Sequence, residues 1–174
     1  PQDRTALARQ LLENAARSQD DPVTLWVPCR AAQDTAAQTC DIRTAFEAIE
    51  LAARFIDVDT LALKLAALTS AGKAAKGPEE FADLTTDHLR LVDELVDADQ
   101  FETAEKTATA AVQLARKSND AALATKATGR SKEVSEAKTL YQGMKSVLET
   151  LAKNSDDPGA NLETGKFLCF VKGA

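Results

Sequence analysis

The sequence is short of the residue types from which most catalytic and metal sites are built. Its 174 residues include one histidine, His88, and three cysteines, Cys29, Cys40 and Cys169. A single histidine excludes a multi-histidine metal site and any relay of two histidines within this chain. Three cysteines without a C-x-x-C spacing argue against a disulfide framework and against a cysteine zinc site.

Motifs that bind nucleotides or calcium are also missing. The sequence contains no G-x-x-x-x-G-K-[ST], no G-x-G-x-x-G, and no loop of alternating acids with a central glycine and a terminal glutamate. We therefore expect no cofactor. The longest uncharged apolar run covers residues 167–171, whereas a membrane-spanning helix needs about 20 such residues, so we expect no membrane insertion.

Aromatic residues are few: six phenylalanines, Trp26 and Tyr141. Because the formal net charge is −6, and aromatic and basic residues are not interleaved, the sequence argues against nucleic-acid binding. Trp26 is interpreted either as a core residue or as a platform for a ligand. His88 is interpreted either as a core histidine held by one hydrogen bond or as a general base. These two residues are the candidates for contact with a partner.

Alanine is abundant, with 33 residues, and apolar residues recur at alternating spacings of three and four along nearly the whole chain. This spacing is typical of amphipathic helices, and no segment alternates as a strand would. The sequence predicts an all-α fold of antiparallel helical hairpins, a tetratricopeptide-like right-handed array of seven to nine helices. We expect one domain over residues 1–174, which is part of a longer multidomain protein.

Aspartate, glycine and proline residues predict where the helices begin and end. Pro28 is expected to kink or shorten the second helix, and Gly129 is a point where the long seventh segment could divide. Small residues on the sixth helix predict a close approach to its neighbour. The first two helices are predicted over residues 3–17 and 22–38. The next four are predicted to begin after Asp41, Asp59, Gly77 and Gln100. A seventh helical segment is predicted from Asp120 to Lys153, and the last helix is predicted to start at Pro158.

Charge is unevenly distributed along the chain. Residues 79–105 contain ten acids and one base, Arg90, whereas residues 106–138 contain seven bases and three acids. Two interpretations remain open: neighbouring helices carry complementary faces, or an acidic surface meets a basic partner. A heptad-like stripe from Val134 to Leu151 is likewise either part of the internal core or a dimer seam.

Parts of the sequence resemble known helical domains. Residues 157–168 (DPGANLETGKFL) resemble the first helix of a tetratricopeptide repeat. Residues 11–13 and 20–22, together with 48–61 (AIELAARFIDVDTL), 108–121 (ATAAVQLARKSNDA) and 161–173 (NLETGKFLCFVKG), resemble a helical domain that recurs in exported planctomycete proteins of uncharacterised function. This resemblance implies export to the periplasm or cell envelope and neighbouring modules in the same chain. It supplies no catalytic residues.

These observations favour a non-enzymatic module that binds a protein partner or holds neighbouring domains apart. The alternative is an accessory domain of an enzyme, in which His88 and a nearby acid work in a cleft completed by other sequence. The sequence does not indicate the oligomeric state.

Overall fold

A computed structural model describes residues 2–17 and 21–172 of the chain. In these residues the fold is all-α, with eight α-helices and no strand. The number of helices lies within the predicted range of seven to nine. The helices are α1 (Gln2–Arg17), α2 (Pro22–Ala37), α3 (Ile42–Ala53), α4 (Thr60–Ala74), α5 (Pro78–Asp97), α6 (Phe101–Lys117), α7 (Ala121–Lys153) and α8 (Pro158–Phe167), followed by a short π-helical turn over Leu168–Lys172.

Each helix packs against the next one along the chain, and contacts between α1 and α3, α2 and α4, and α5 and α7 join neighbouring hairpins. Connections of a few residues force sequential helices to run antiparallel. The result is an array in which α1 and α2 form one end and α7 and α8 form the other.

Aspartate side chains begin five of the helices. The carboxylates of Asp21, Asp41, Asp59, Asp120 and Asp157 each accept a hydrogen bond from a backbone N–H in the first turn of the helix that follows. These bonds satisfy donors that have no partner within the helix. The prediction that aspartates mark the starts of helices is confirmed for Asp21, Asp41, Asp59 and Asp157, whereas Asp20 lies outside the described residues.

In the part of the chain that the structure describes, three connections place a residue other than glycine in the left-handed region of backbone space. Cys40, Asp99 and Asn119 have φ angles of 59°, 59° and 58°. In the first two connections, the residue after the left-handed one donates a backbone hydrogen bond to the carbonyl five positions before it: Asp41 N to Ala36 O at 3.0 Å and Gln100 N to Leu95 O at 2.8 Å. This is the Schellman arrangement, which closes a helix and turns the chain sharply.

Neither Pro28 nor Gly129 ends a helix. Helix α2 continues through Pro28 from Pro22 to Ala37, so the proline does not shorten it. Helix α7 continues through Gly129 as one helix of 33 residues. Tertiary packing explains both results, since each helix has buried residues on both sides of the interruption that hold it against its neighbours.

Replacing Gly129 with alanine is expected to raise the free energy of unfolding by roughly 0.5 to 1 kcal/mol, because alanine has less backbone entropy to lose in a helix. A Cβ atom built on Gly129 meets no other atom within 4 Å, so no clash opposes the gain. Urea denaturation of both proteins measures the difference. Destabilisation of the alanine variant would contradict the continuous helix at this position.

The core is built around the apolar face of α5 and the small-residue face of α6. Leu84, Leu91 and Leu95 of α5 are almost fully buried. The predicted close approach is confirmed on α6, where Ala104, Ala108, Ala111 and Ala115 are at most 1% exposed. Small side chains on one helix leave room for the large side chains of its partner.

Candidate functional site

Trp26, the first candidate residue, lies on α2 and is half-buried. Its side chain packs beside a small cluster formed by Ala15, Leu25, Cys29 and Ala52. The indole therefore contributes to the core between the first hairpin and α3 while part of it stays at the surface. Contact with a partner through Trp26 is compatible with this position.

His88, the second candidate, lies inside the protein. Its residue is 4% exposed, and Nδ1 lies 2.7 Å from the carbonyl oxygen of Leu84 on the preceding turn of α5. A carbonyl oxygen can only accept, so Nδ1 carries the proton that is donated. The interpretation of His88 as a core residue with one hydrogen bond is confirmed. The ring offers no surface to a partner, and it does not share a cluster with Trp26.

Burial lowers the pKa of His88, and the bond to Leu84 opposes this effect only in part. Below the ordinary histidine pKa of about 6.5, the unfolded chain takes up a proton that the folded chain does not. The free energy of unfolding is therefore expected to fall as the pH drops below that value. The loss from this one site cannot exceed about 1.4 kcal/mol per pH unit.

Denaturation of the wild type and of His88→Gln between pH 7.5 and 5 tests this expectation. The variant should show the shallower pH dependence, because glutamine has no proton to gain. Identical slopes for the two proteins would contradict the assignment. Other groups that titrate in this range contribute equally to both proteins and cancel in the difference.

The acidic and basic segments of the chain meet in the structure. Asp93 of α5 accepts from Arg130 of α7 at 2.8 Å, and Glu105 of α6 accepts from Lys138 of α7 at 2.8 Å. The interpretation as complementary faces is confirmed for these pairs. The Lys138 bond is the main cause that lowers the pKa of Glu105.

The sequence patterns did not predict a role for Lys64. This lysine lies on the apolar side of α4, together with Leu61, Leu65 and Leu68. Its side chain is only 10% exposed, and its Nζ lies 2.8 Å from Glu94 Oε2 and 3.5 Å from Glu50 Oε1. The ammonium group also lies 5.3 Å from the ring centre of Phe46. A lysine at an apolar seam position is the signal that could have indicated this link between α3, α4 and α5.

The heptad-like stripe from Val134 to Leu151 is largely internal. Val134 and Ala137 are buried, and the ring of Tyr141 lies 4.6 Å from that of Phe101 and 5.8 Å from that of Phe167. The interpretation of the stripe as part of the internal core is confirmed for its first half, from Val134 to Tyr141. Near the end of α7 the covering is incomplete, and Leu148 is exposed.

A groove of about 660 Å³ lies at the edge of the array where α1 begins and where α2 and α4 end. Its volume is in the range of ligand-binding cavities. Sequence patterns did not predict it, because its walls come from three separate segments. The lining residues are Arg4, Thr5, Ala6, Arg9, Gln38, Thr39, Cys40, Ala74, Lys76 and Glu80.

Glu80 is the one carboxylate among the described residues that line the groove, and it already accepts hydrogen bonds from the backbone. Its Oε2 accepts from the backbone N–H groups of Lys76 at 2.6 Å and Gly77 at 3.3 Å. These two bonds, that of Lys76 foremost, lower the pKa of the Glu80 carboxyl. Glu80 is therefore ionised at neutral pH and closes the turn between α4 and α5.

Within residues 2–17 and 21–172, no group of three or more His, Cys, Asp or Glu side chains is arranged to hold a metal ion. The three cysteines lie in different environments: Cys29 is buried, Cys40 is half-buried and Cys169 is exposed. Over the same part of the chain, no helix is both long enough and apolar enough to cross a membrane.

Comparisons of the chain with protein-family models, curated proteins and solved structures find no match. Proposals about its function therefore depend on its own geometry.

Proposed function

We propose that this chain is a helical-hairpin interaction or spacer module, which binds a protein partner or neighbouring domains and performs no catalysis of its own. The observation that carries the proposal is the position of its exposed apolar side chains. Among the described residues, all large apolar side chains that are exposed lie at or before residue 55 or at or after residue 140. They are Leu7, Val23, Val27 and Phe55 near one end, and Leu140, Leu148, Leu162, Leu168 and Phe170 near the other.

Exposure is most pronounced at two points. Val23 is 70% exposed on α2, and Phe170 is 83% exposed in the π-helical turn. Helical arrays that end in water carry polar outer faces on their terminal hairpins. Here the terminal hairpins keep exposed apolar groups, and covering these groups with another protein surface is energetically favourable. This distribution supports contacts at both ends of the array.

The environment of His88 supports the non-enzymatic part of the proposal. A general base must reach its substrate, whereas the ring of His88 is buried and donates a hydrogen bond to the carbonyl oxygen of Leu84. The resemblance to exported planctomycete domains adds a cellular setting to the proposal, in which the module works outside the cytoplasm beside other modules. The helical-repeat character of the hairpins belongs to the same proposal.

Selection of random dodecapeptides displayed on phage against the immobilised chain tests the proposal. We expect an enriched sequence family whose synthetic members bind one to one with Kd values on the order of micromolar, as transient interactions do, and are recovered unaltered in mass spectrometry. Cleavage or modification of the peptide, or no enrichment over the bare support, would contradict it.

Two double variants locate the contact. Val23→Ser with Val27→Ser changes the first end, and Leu162→Ser with Phe170→Ser changes the second end. All four side chains are exposed, so the fold should be retained, as circular dichroism can verify. At least one double variant should bind the selected peptides more weakly if the apolar ends are used.

A further inference from the structure

The groove between α1, the α2–α3 turn and the α4–α5 turn combines positive charge with an open shape. Among the described residues that line it, three are cations, Arg4, Arg9 and Lys76, and one is a carboxylate, Glu80. This balance is unusual for a chain whose net charge is −6. A local patch of the opposite sign attracts ligands that the rest of the surface repels.

The cations are only weakly engaged by the protein itself. Arg4 makes no ion pair with any described residue. Arg9 reaches Asp41 at 3.5 Å while 64% of its side chain stays exposed, and such a pair contributes little. Glu80 directs its bonds to backbone groups. The guanidinium groups therefore keep donors that an incoming carboxylate can accept.

The arrangement of the walls indicates the shape of the ligand. Arg4 and Arg9 come from α1, whereas Lys76 comes from the α4–α5 turn, so the cations do not converge from one element. Thr39 and Cys40 of the α2–α3 turn contribute to the same groove. Charges distributed over two elements suit several carboxylates spaced along an extended chain better than one compact anion.

We propose that this groove binds an acidic peptide segment of a protein partner, with Arg4 and Arg9 pairing with its carboxylates and Lys76 adding to the attraction. The inference rests on the proposed function and specifies the chemistry of one of its contacts. Recognition is electrostatic, so binding weakens as salt is added.

Two matched hexapeptides, both acetylated and amidated, test the inference. One carries four Asp and Glu residues, and the other carries Asn and Gln in their place. Titrated into the isotopically labelled 174-residue chain at low salt, the acidic peptide should shift the amide signals of Thr39, Cys40 and Lys76. The neutral peptide should bind about tenfold more weakly or not at all, a difference equivalent to about two exposed ion pairs.

The double variant Arg4→Glu with Arg9→Glu should abolish these shifts. The control is Lys126→Glu with Lys145→Glu, which makes the same change in net charge at exposed positions of α7 that do not line the groove. The control should bind the acidic peptide within about twofold of the wild type, since distant charges are screened.

Equal binding of both peptides, shifts outside the groove, or an equal loss in the control would overturn the inference. Inorganic phosphate that produces the same shifts at the same concentration would also overturn it, because the site would then hold a compact anion. In each of these cases the proposed function would still stand if the peptides selected on the wild type bind through the apolar ends.

Discussion

Replacing Leu91 with alanine is expected to lower the free energy of unfolding by about 2 to 5 kcal/mol, the range for a buried leucine that leaves a cavity. Leu91 is fully buried on α5. It belongs to the largest apolar cluster, which joins α3, α4, α5, α6, α7 and α8. The surrounding helices are held on several sides, so they cannot close around the missing atoms without losing other contacts.

The matched control is Leu162→Ala on α8, where the leucine is 59% exposed. The same atoms are removed from a helix in both variants, but the control loses little buried area and should change stability by no more than about 0.5 kcal/mol. Urea denaturation of the three proteins gives the comparison. Equal losses at the two positions would contradict the assignment of α5 to the centre of the core.

Helix boundaries could be predicted well because they depend on local chemistry. Asp41 and Asp59 bind backbone donors three residues away, and Pro158 occupies the first turn of α8. Each of these effects is encoded within a few neighbouring residues.

Pro28 and Gly129 show where local reasoning fails. Each residue disfavours the helix interior when taken alone. In the folded chain, the buried residues Leu25 and Ala32 flank Pro28, and Ala127 and Val134 flank Gly129. Packing on both sides outweighs a penalty of about 1 kcal/mol for glycine and about 3 kcal/mol for proline, which no single-residue preference can anticipate.

The candidate site was predictable only where one helix contains the whole signal. His88 lies on the same face of α5 as Leu84 and Leu91, and this pattern within one helix favours the core interpretation over the general base; the structure confirms the core interpretation. The groove gives no such signal, because Arg4 and Lys76 are 72 positions apart in the chain. They line one cavity only through the packing of the first two hairpins and the turns at Cys40 and Lys76.

The charge pattern lies between these two cases. The opposite net charges of residues 79–105 and 106–138 were compatible with complementary helix faces. The ion pairs of Asp93 with Arg130 and of Glu105 with Lys138 confirm such faces. The choice of partners depends on which turns of α5, α6 and α7 face each other. That register is a property of the packed helices and not of the charge totals.

The second large effect is expected from adding volume to the alanine seam of α6. Replacing Ala108 with leucine should lower the free energy of unfolding by roughly 1 to 3 kcal/mol or more, because a filled core must shift to accept the added atoms. Ala108 is fully buried and lies in the main cluster with Leu91 and Leu95 of α5. Leucine is a good helix former, so the loss cannot come from helix propensity.

The control for this substitution is Ala122→Leu at an exposed position near the start of α7. It adds the same atoms to a helix without crowding a neighbour, and its stability should stay within about 0.5 kcal/mol of the wild type. Thermal and urea denaturation measure both variants. If Ala108→Leu is as stable as the control, the contact between α5 and α6 is not closely packed, and the abundance of alanine on α6 needs another explanation. If only Ala108→Leu is destabilised, close helix packing is what requires small residues along this face.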